Sequence, residues 1–321
     1  MSWLVTGGAG YIGAHVVRSF REVGLAAVVI DDLSSGHREF VRPEVPFVEG
    51  SIVDTDLLVS TMEEHGVEGV VHLAGFKYAG VSVSRPLHTY QQNVTGTVNL
   101  LEAMERTGVQ SIVFSSSAAT FGTPDTDLVT EQTPTVPESP YGESKLIGEW
   151  LIRDQARATG LRHTSLRYFN VVGSGSSDLF DTSPHNLFPI AFEMLLNGKA
   201  PRINGDDYNT PDGTCVRDYV HVADLSDAHV VAAQHLAAGD HLEPVYNLGS
   251  GAGSSVREIM DAIRTVTGID FVPEVGPRRP GDPDRIVATG DAAGRDLDWR
   301  MRHTLEDMVR SGWEARSAAG D

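Results

Sequence analysis

The sequence predicts an α/β fold, a doubly wound parallel sheet with a smaller mixed α/β unit. Three observations carry that reading. Short apolar runs alternate with helical patterns through the first half, a glycine-rich turn joins the first run to the first helix, and the alternation stops after Asn170. Strands are predicted at residues 3–6, 26–30, 46–49, 69–73, 111–115 and 163–167. Helical patterns lie between them at 12–23, 56–65, 92–107 and 141–158. Such repetition implies parallel strands joined by right-handed crossovers. The Gly/Ser/Asp-rich stretch 173–183 reads as a loop, and the remainder mixes helices, short strands and proline turns. The first unit is therefore placed at 1–173 and the second at 174–321, with segments near 218–248 returning to the large sheet. The Ala/Arg-rich tail after Trp313 is expected to fray.

Composition narrows the function. The chain has 321 residues, 40% hydrophobic and 21% charged, which is globular rather than fibrous or disordered. Its formal net charge is −19. Such a surface repels nucleic-acid backbones and anionic lipid heads, so neither nucleic acid nor a membrane is an expected partner. No stretch approaches the ~20 apolar residues that cross a bilayer, and no targeting segment is visible. The one cysteine, Cys215, excludes an intrachain disulfide and fits a reducing compartment, so the reading is cytoplasmic. No metal is expected, because no His, Cys, Asp or Glu group has zinc-ligand spacing. His72, His221 and His229 lie in or beside apolar segments and read as core or cap residues. The Gly-x-Ser-x-Gly elbow of a serine hydrolase is missing.

Thr6-Gly7-Gly8-Ala9-Gly10-Tyr11-Ile12-Gly13 follows the first strand and opens the first helix, a variant of the Rossmann dinucleotide fingerprint. Glycines there permit a tight turn, close backbone approach to a pyrophosphate and helix–strand contact. The helix N-terminus adds free amides and partial positive charge. Asp31 ends the second strand, 18 residues after Gly13. An acid at that place accepts the adenosine ribose hydroxyls and repels a 2′-phosphate, so NAD is the expected cofactor. Two alternatives stay open: Asp31 or Asp32 capping the turn, and NADP held by His37 or Arg38.

Ser139-Pro140-Tyr141-Gly142-Glu143-Ser144-Lys145 is read as the chemical centre. Ser139 suits an N-cap and Pro140 the first helical position. Tyr141 and Lys145 are then i and i+4, on one helix face. Tyrosine ionises near pH 10, and bringing it to neutrality takes roughly 4 kcal/mol of differential interaction, which an ammonium in a partly dry site can supply. Upstream, Ser115-Ser116-Ser117-Ala118 ends a predicted strand, where open α/β sheets hold ligands. A hydroxyl from this run can bridge a substrate oxygen and Tyr141; the other reading is a polar strand-end loop.

With further segments, these motifs make the sequence resemble the extended short-chain dehydrogenase/reductase family, and within it the UDP-galactose/UDP-glucose 4-epimerases. The added segments are Arg167-Tyr168-Phe169-Asn170, Asp212-Gly213-Thr214, Val216-Arg217-Asp218-Tyr219, Tyr246-Asn247-Leu248-Gly249 and Arg278-Arg279-Pro280-Gly281-Asp282. The resemblance spans nearly the whole chain. It implies an isomerase that epimerises C4 of a UDP-hexose through a transient 4-keto sugar, with NAD kept bound. It implies a homodimer through helices near 92–107 and 141–158. Tyr141 is implied as the base, Lys145 as its modulator and Ser117 as the bridging hydroxyl. Cofactor contacts are implied at Gly7, Gly10, Tyr11, Ile12, Gly13, Asp31, Asp32, Ser51, Ile52, Leu73, Ala74, Lys77, Asn93, Ser115, Tyr141, Lys145 and Tyr168. Substrate contacts are implied at Lys77, Ser117, Tyr141, Asn170, Asn186, Leu187, Asn204, Arg217, Arg279 and Asp282. The two arginines would bring local positive charge to the diphosphate.

Departures from the pattern matter as well. Ser51 stands where these epimerases carry an Asp that reads the adenine amino group. Phe121 replaces a Tyr, Val171 a Pro, and Asn204 a Phe that approaches the uracil. Ile286 matches the position at the sugar's far edge, where a side chain smaller than Tyr leaves room for an N-acetyl group. Arg285 beside it, if turned inward, would favour a C6 carboxylate. UDP-N-acetylglucosamine and UDP-glucuronate thus stay open as substrates. A 4,6-dehydratase or decarboxylase is disfavoured, because dehydratases need an acidic pair where this chain has Ala118-Ala119. A non-catalytic NAD-binding regulator would have no need of Tyr141, Lys145 and Ser117 together.

Overall fold

Successive side chains of a strand face opposite sides, and the first strand sorts accordingly: Trp3 and Val5 enter one apolar cluster, Leu4 another. The computed structural model describes residues 2–278 and 283–319. Its main sheet comprises β1 (Ser2–Thr6), β2 (Ala26–Asp31), β3 (Phe47–Glu49), β4 (Val67–His72), β5 (Ser111–Ser115), β6 (Arg162–Tyr168) and β7 (Val245–Leu248). All pairings are parallel, in the order β7-β6-β5-β4-β1-β2-β3. Each predicted strand is present, its ends shifted by no more than two residues.

Helices α1 (Tyr11–Glu22), α2 (Thr55–Glu64), α3 (Gly96–Thr107), α4 (Pro140–Thr159) and α5 (Val222–Ala238) cover the sheet. Phe20 of α1 and Leu225 of α5 share a core with Trp3, Val5, Val29, Val71, Val113, Leu166 and Leu248. Met62, Leu100 and Ile152, from α2, α3 and α4, pack with Leu4, Val28, Ile30, Val70, Ile112 and Phe114. Full burial is worth about 1.5–3 kcal/mol for each such side chain, so layer packing rather than helix propensity holds the sheet. Local signals set the ends. Ser139 Oγ accepts from Gly142 N at 3.2 Å with Pro140 in the first turn, and Asp54 caps α2 through Leu57 N at 3.0 Å.

Two stretches depart from the sequence expectation. The pattern at 92–107 is not one regular helix, because Gln91–Thr95 form a π-helical turn before α3. Single π-turns cluster at functional sites. Here the turn carries the buried Asn93 amide, which accepts from Phe76 N at 2.6 Å and donates to Phe76 O at 3.0 Å and to Ser144 Oγ at 2.8 Å. The described part of the tail after Trp313 is helical rather than frayed. It continues the helix Leu305–Ala318, which starts with a Thr304–Asp307 capping box, buries Met308 and Val309, and pairs Arg316 with Glu193 at 2.5 Å.

A third apolar cluster gathers Phe188, Phe192, Ile259, Met260, Ile263, Met308 and Val309 from helices of the C-terminal half. Beside it runs a four-stranded sheet of Ser254–Ser255, Val216–Arg217, Arg285–Ala288 and Leu128–Val129. The fully buried Asp218 carboxylate ties that sheet to the exit of β7, accepting from Ser250 N and Ala288 N, each at 3.0 Å.

One ion pair locks α4 onto β6. Arg167 Nε and Nη2 donate to Glu149 Oε1 and Oε2 at 2.8 and 2.6 Å, with side chains only 6% and 7% exposed. Ser116 Oγ donates to the same carboxylate at 2.5 Å. Arg167→Ala strands that buried charge with a single hydroxyl donor and should cost about 3–5 kcal/mol in urea denaturation. A loss under about 1 kcal/mol would show that the carboxylate finds water instead.

Candidate active site

The sheet's strand order reverses between β1 and β4, the place where open α/β sheets bind ligands beyond the carboxyl ends of their strands. A cavity of about 1200 Å³ opens there, walled by residues following β1, β2, β4 and β6, the start of α4, and the segment 181–190. The glycine turn forms one wall. Gly7 has φ 72°, and a Cβ on it would lie 2.8 Å from Ala74 N. A Cβ on Gly13 would sit 2.2 Å from Gly7 O, so α1 can approach the turn only with glycine. Gly10, Tyr11 and Ile12 join the wall at the N-terminus of α1, where amides point outward without intrahelical partners. Tyr11 Oη donates to Gly173 O at 2.5 Å and pins the start of the far loop.

Asp31 and Asp32 also line the cavity, and they differ. Asp31 is buried and accepts from Ala9 N at 3.0 Å and Leu33 N at 2.9 Å. Burial raises its pKa, against the pull of those amides and of the Lys77 ammonium. Asp32 caps the turn, taking Ser34 N at 3.0 Å and Ser34 Oγ at 2.6 Å. Neither neighbouring base is aimed at a 2′-phosphate. Arg38 lies over the Phe47 ring at 4.4 Å and donates to Val41 O, and His37 Nε2 meets Thr182 Oγ1 at 3.0 Å.

Tyr141, Lys145 and Glu149 form an i, i+4, i+8 stripe on α4, directed at the ends of β5 and β6. The Tyr141 phenol is hydrogen-bonded to Ser117, whose Oγ also accepts from Ala119 N at 3.1 Å. Burial holds the Tyr141 pKa above its usual value, with the Ser117 bond working the other way. Lys145 Nζ stands 5.9 Å from the Tyr141 ring centroid and donates to Ser115 O at 2.8 Å. Burial pulls the Lys145 pKa down to about 8, against the charge of Glu149. Near neutrality the tyrosine thus keeps its proton, and the lysine is held by backbone beside it rather than bonded to it.

The remaining candidates separate into groups. Ser51, Ile52, Leu73, Ala74, Lys77, Tyr168, Asn170, Asn186 and Leu187 stand on the cavity wall. Among the described residues that line it, Asn93, Ser115, Ser117, Asn204 and Arg217 do not appear. Asn93 and Ser115 act through others: Asn93 clamps the backbone beside Lys77, and Ser115 holds Lys145. Asn204 belongs to the short strand Arg202–Asn204, and Arg217 Nη1 donates to Val216 O at 2.8 Å. Arg279 and Asp282 fall outside the described residues. Ile286 packs with Ala118, Phe121, Val129 and Ala288, and Arg285 turns to Ala252 O at 2.6 Å. Neither lines the cavity, so an inward Arg285 is not what this structure holds.

Some wall residues had no motif to reveal them. Asp181 accepts from Asn186 Nδ2 at 2.7 Å and Ser183 N at 2.9 Å, and burial raises its pKa while Lys77 opposes the shift. His185 meets the Tyr78 ring edge at 4.8 Å, so the 181–190 segment touches the loop after β4. Glu149 was legible as the next i+4 step beyond Lys145.

His72 bridges Thr6 Oγ1 at 2.8 Å and Thr97 Oγ1 at 3.0 Å, and His221 caps α5 through Ala223 N at 3.0 Å. Both are satisfied structural histidines. Among the described residues no helix is long and apolar enough to cross a membrane.

A parallel sheet with a glycine cradle at its switch point, and a tyrosine–lysine pair opening on the same cavity, define a dinucleotide-type α/β enzyme scaffold. The cradle would be blocked by any side chain, and the residues present therefore fit NAD: the α1 N-terminus would hold the pyrophosphate and Asp31 the ribose. The model of the NAD dependent epimerase/dehydratase family matches residues 3–249, and the chain belongs to that family. It is 44% identical to a UDP-glucose 4-epimerase of Azospirillum brasilense, over 97% of this chain and 91% of that one. It is similar to the crystal structure of UDP-glucose 4-epimerase from Brucella ovis in complex with NAD, with TM-score 0.93, 40% identity and 97% of each chain covered. The enzyme from Bifidobacterium longum in complex with NAD+ and UDP matches with TM-score 0.90 and 34% identity, over 99% of this chain and 98% of that one.

The depressed Lys145 pKa is open to direct measurement. With [13Cε]lysine, the resonance lost in Lys145→Met should titrate in the cofactor-free chain near pH 8. A midpoint at the ordinary lysine value of about 10.4 would show that the site is wetter than its burial implies.

Proposed function

We propose that this protein is a UDP-hexose 4-epimerase that keeps NAD bound and interconverts UDP-glucose and UDP-galactose. One observation carries the reading: Tyr141, with Ser117 at its hydroxyl and Lys145 beside it, opens on the cavity that also holds the glycine cradle. Bound NAD would supply the reversible oxidation at sugar C4. The chain's own groups do the rest. Tyr141 takes the C4-hydroxyl proton as the 4-keto sugar forms and returns it when the hydroxyl is restored. Ser117 hydrogen-bonds the phenol and can pass that bond to the sugar oxygen, so the proton moves along a short polar path. Lys145 supplies the positive charge that favours phenolate, and its grip on Ser115 O keeps the ammonium at a fixed distance. The N-terminus of α1 and Lys77 provide the local positive field that a net charge of −19 otherwise denies to phosphates.

Asn170, Asn186 and Leu187, which line the cavity, are proposed to meet the UDP-sugar, with Arg217, Arg279 and Asp282 at its diphosphate. Simple hexoses are preferred to UDP-glucuronate, since Arg285 is engaged at Ala252 O. A homodimer is part of the proposal, supported by Val83, Leu87 and Trp150, which are 64%, 83% and 46% exposed. The helices Ala79–Ser84 and Pro86–Tyr90 that carry the first two pack against α4, which carries the third. Light scattering should then give twice the chain mass; a monomer at working concentration overturns it. The single buried Cys215 supports a reducing, cytoplasmic location.

Tyr141→Phe deletes one oxygen and should leave the fold and bound NAD intact. Conversion of UDP-glucose to UDP-galactose, followed by proton NMR, should fall at least about a hundredfold, the usual worth of a proton-transfer group. A variant that keeps more than about a tenth of the wild-type rate would remove Tyr141 from the base role.

A further inference from the structure

Of the five tyrosines on the cavity wall, Tyr11, Tyr78, Tyr141, Tyr168 and Tyr219, two are close enough for one to act on the ionisation of the other: Tyr141 and Tyr168. We infer that His229, buried behind the wall, is a positioning residue that locks the Tyr168 proton inward onto Ser115 and so leaves Tyr141, of this neighbouring pair, as the one able to exchange a proton with substrate. The inference rests on the epimerase reading above.

The argument is a count of protons along one chain of hydrogen bonds. His229 is fully buried on α5. Its Nδ1 lies 2.9 Å from Leu225 O, one helical turn back. A carbonyl can only accept, so Nδ1 carries the hydrogen. Burial pushes the His229 pKa down to about 4, so near neutrality the ring is uncharged and Nε2 has only a lone pair. That lone pair lies 3.1 Å from Ser115 Oγ. Ser115 has one hydroxyl hydrogen, and Nε2 takes it. Tyr168 Oη lies 2.8 Å from the same Ser115 Oγ. With the serine hydrogen committed to His229, the tyrosine is the donor, and its only proton points away from the cavity.

The direction has consequences on both sides of Ser115. Burial and the nearby Tyr141 hold the Tyr168 pKa well above its usual value, so its proton stays in place. Facing the cavity, Tyr168 can accept a hydrogen bond and cannot give one. The carbonyl of the same Ser115 holds Lys145 Nζ at 2.8 Å. One residue thereby sets the polarity of Tyr168 and the position of the lysine that serves Tyr141. His229 touches neither substrate nor cofactor, and acts only through Ser115.

Without the lock, the Ser115 hydrogen can turn to Tyr168, and Tyr168 can turn its own proton to the sugar. Two phenols would then compete for one substrate oxygen, and productive proton transfer by Tyr141 would be diluted.

The tautomer is measured directly in the purified chain. [15N]Histidine NMR at neutral pH, with the His229 signal identified by its loss in H229Q, should show a neutral ring protonated on Nδ1. A ring protonated on Nε2, or an imidazolium, overturns the proposal whatever the enzyme's activity. The functional link is read from a double-mutant cycle with UDP-glucose. H229L should lower kcat about tenfold with KM changed less than about twofold, and in a Y168F background it should have no further effect beyond about twofold. Equal losses in both backgrounds would mean that His229 acts by packing alone, and would overturn the proposal. Should H229L fail to fold, S115A takes its place in the same cycle, since it removes the hydroxyl that transmits the direction. A wild-type chain without epimerase turnover would sink the functional reading, and the tautomer would still decide the lock.

Discussion

The site depends on how α4 is seated over the ends of β5 and β6. Three residues at helical spacing do this: Lys145 donates to Ser115 O, Glu149 takes Arg167 and Ser116, and Tyr141 is left facing the cavity. Charges this deeply buried are tolerated only when paired and hydrogen-bonded. Shifting the helix by one residue would break every contact at once. The ion pair is thus better understood as a register device than as a source of net stability.

Around that anchor, the cavity is built from opposite chemical requirements on its two sides. The dinucleotide side needs the absence of side chains, at Gly7 and Gly13, because any Cβ would strike backbone within 3 Å. The catalytic side needs side chains whose proton positions are controlled. Burial raises Tyr141 and Tyr168 and lowers Lys145 to about 8, so near neutrality both phenols keep their protons while Lys145 remains mostly an ammonium. The low dielectric favours the neutral phenols, and the buried ammonium is held by Ser115 O with the charge of Glu149 opposing its loss of a proton.

Acidic residues within the cavity follow the same logic. Asp31 and Asp181 both have raised pKa values from burial, and both are restrained by backbone amides and by Lys77. One lysine therefore balances carboxylates from β2 and from the far loop. It also lies next to the Asn93 clamp, which explains why a π-helical turn, costly in regular helix geometry, is kept at Gln91–Thr95.

The sequence by itself determined the parallel sheet, the glycine cradle and the i, i+4 placement of Tyr141 and Lys145. Each of these is written in neighbouring residues, through strand period, turn chemistry, capping or i, i+4 spacing. Ser139 and Pro140, for example, mark the start of α4 through capping and first-turn chemistry alone. Tertiary structure alone decided what distant segments do to one another. Ser115, His229 and Tyr168 come from two strands and a helix, and no local pattern reveals that they share one hydrogen-bond chain. Asp181 and His185 entered the wall because the loop after Gly173 folds back on Tyr78, a contact set by packing rather than by motif. The tail after Trp313 became a helix because Met308 and Val309 find a core there, which propensity in isolation could not supply. Local physics fixes which groups are available, while their protonation and direction depend on burial and partners that only the folded chain provides.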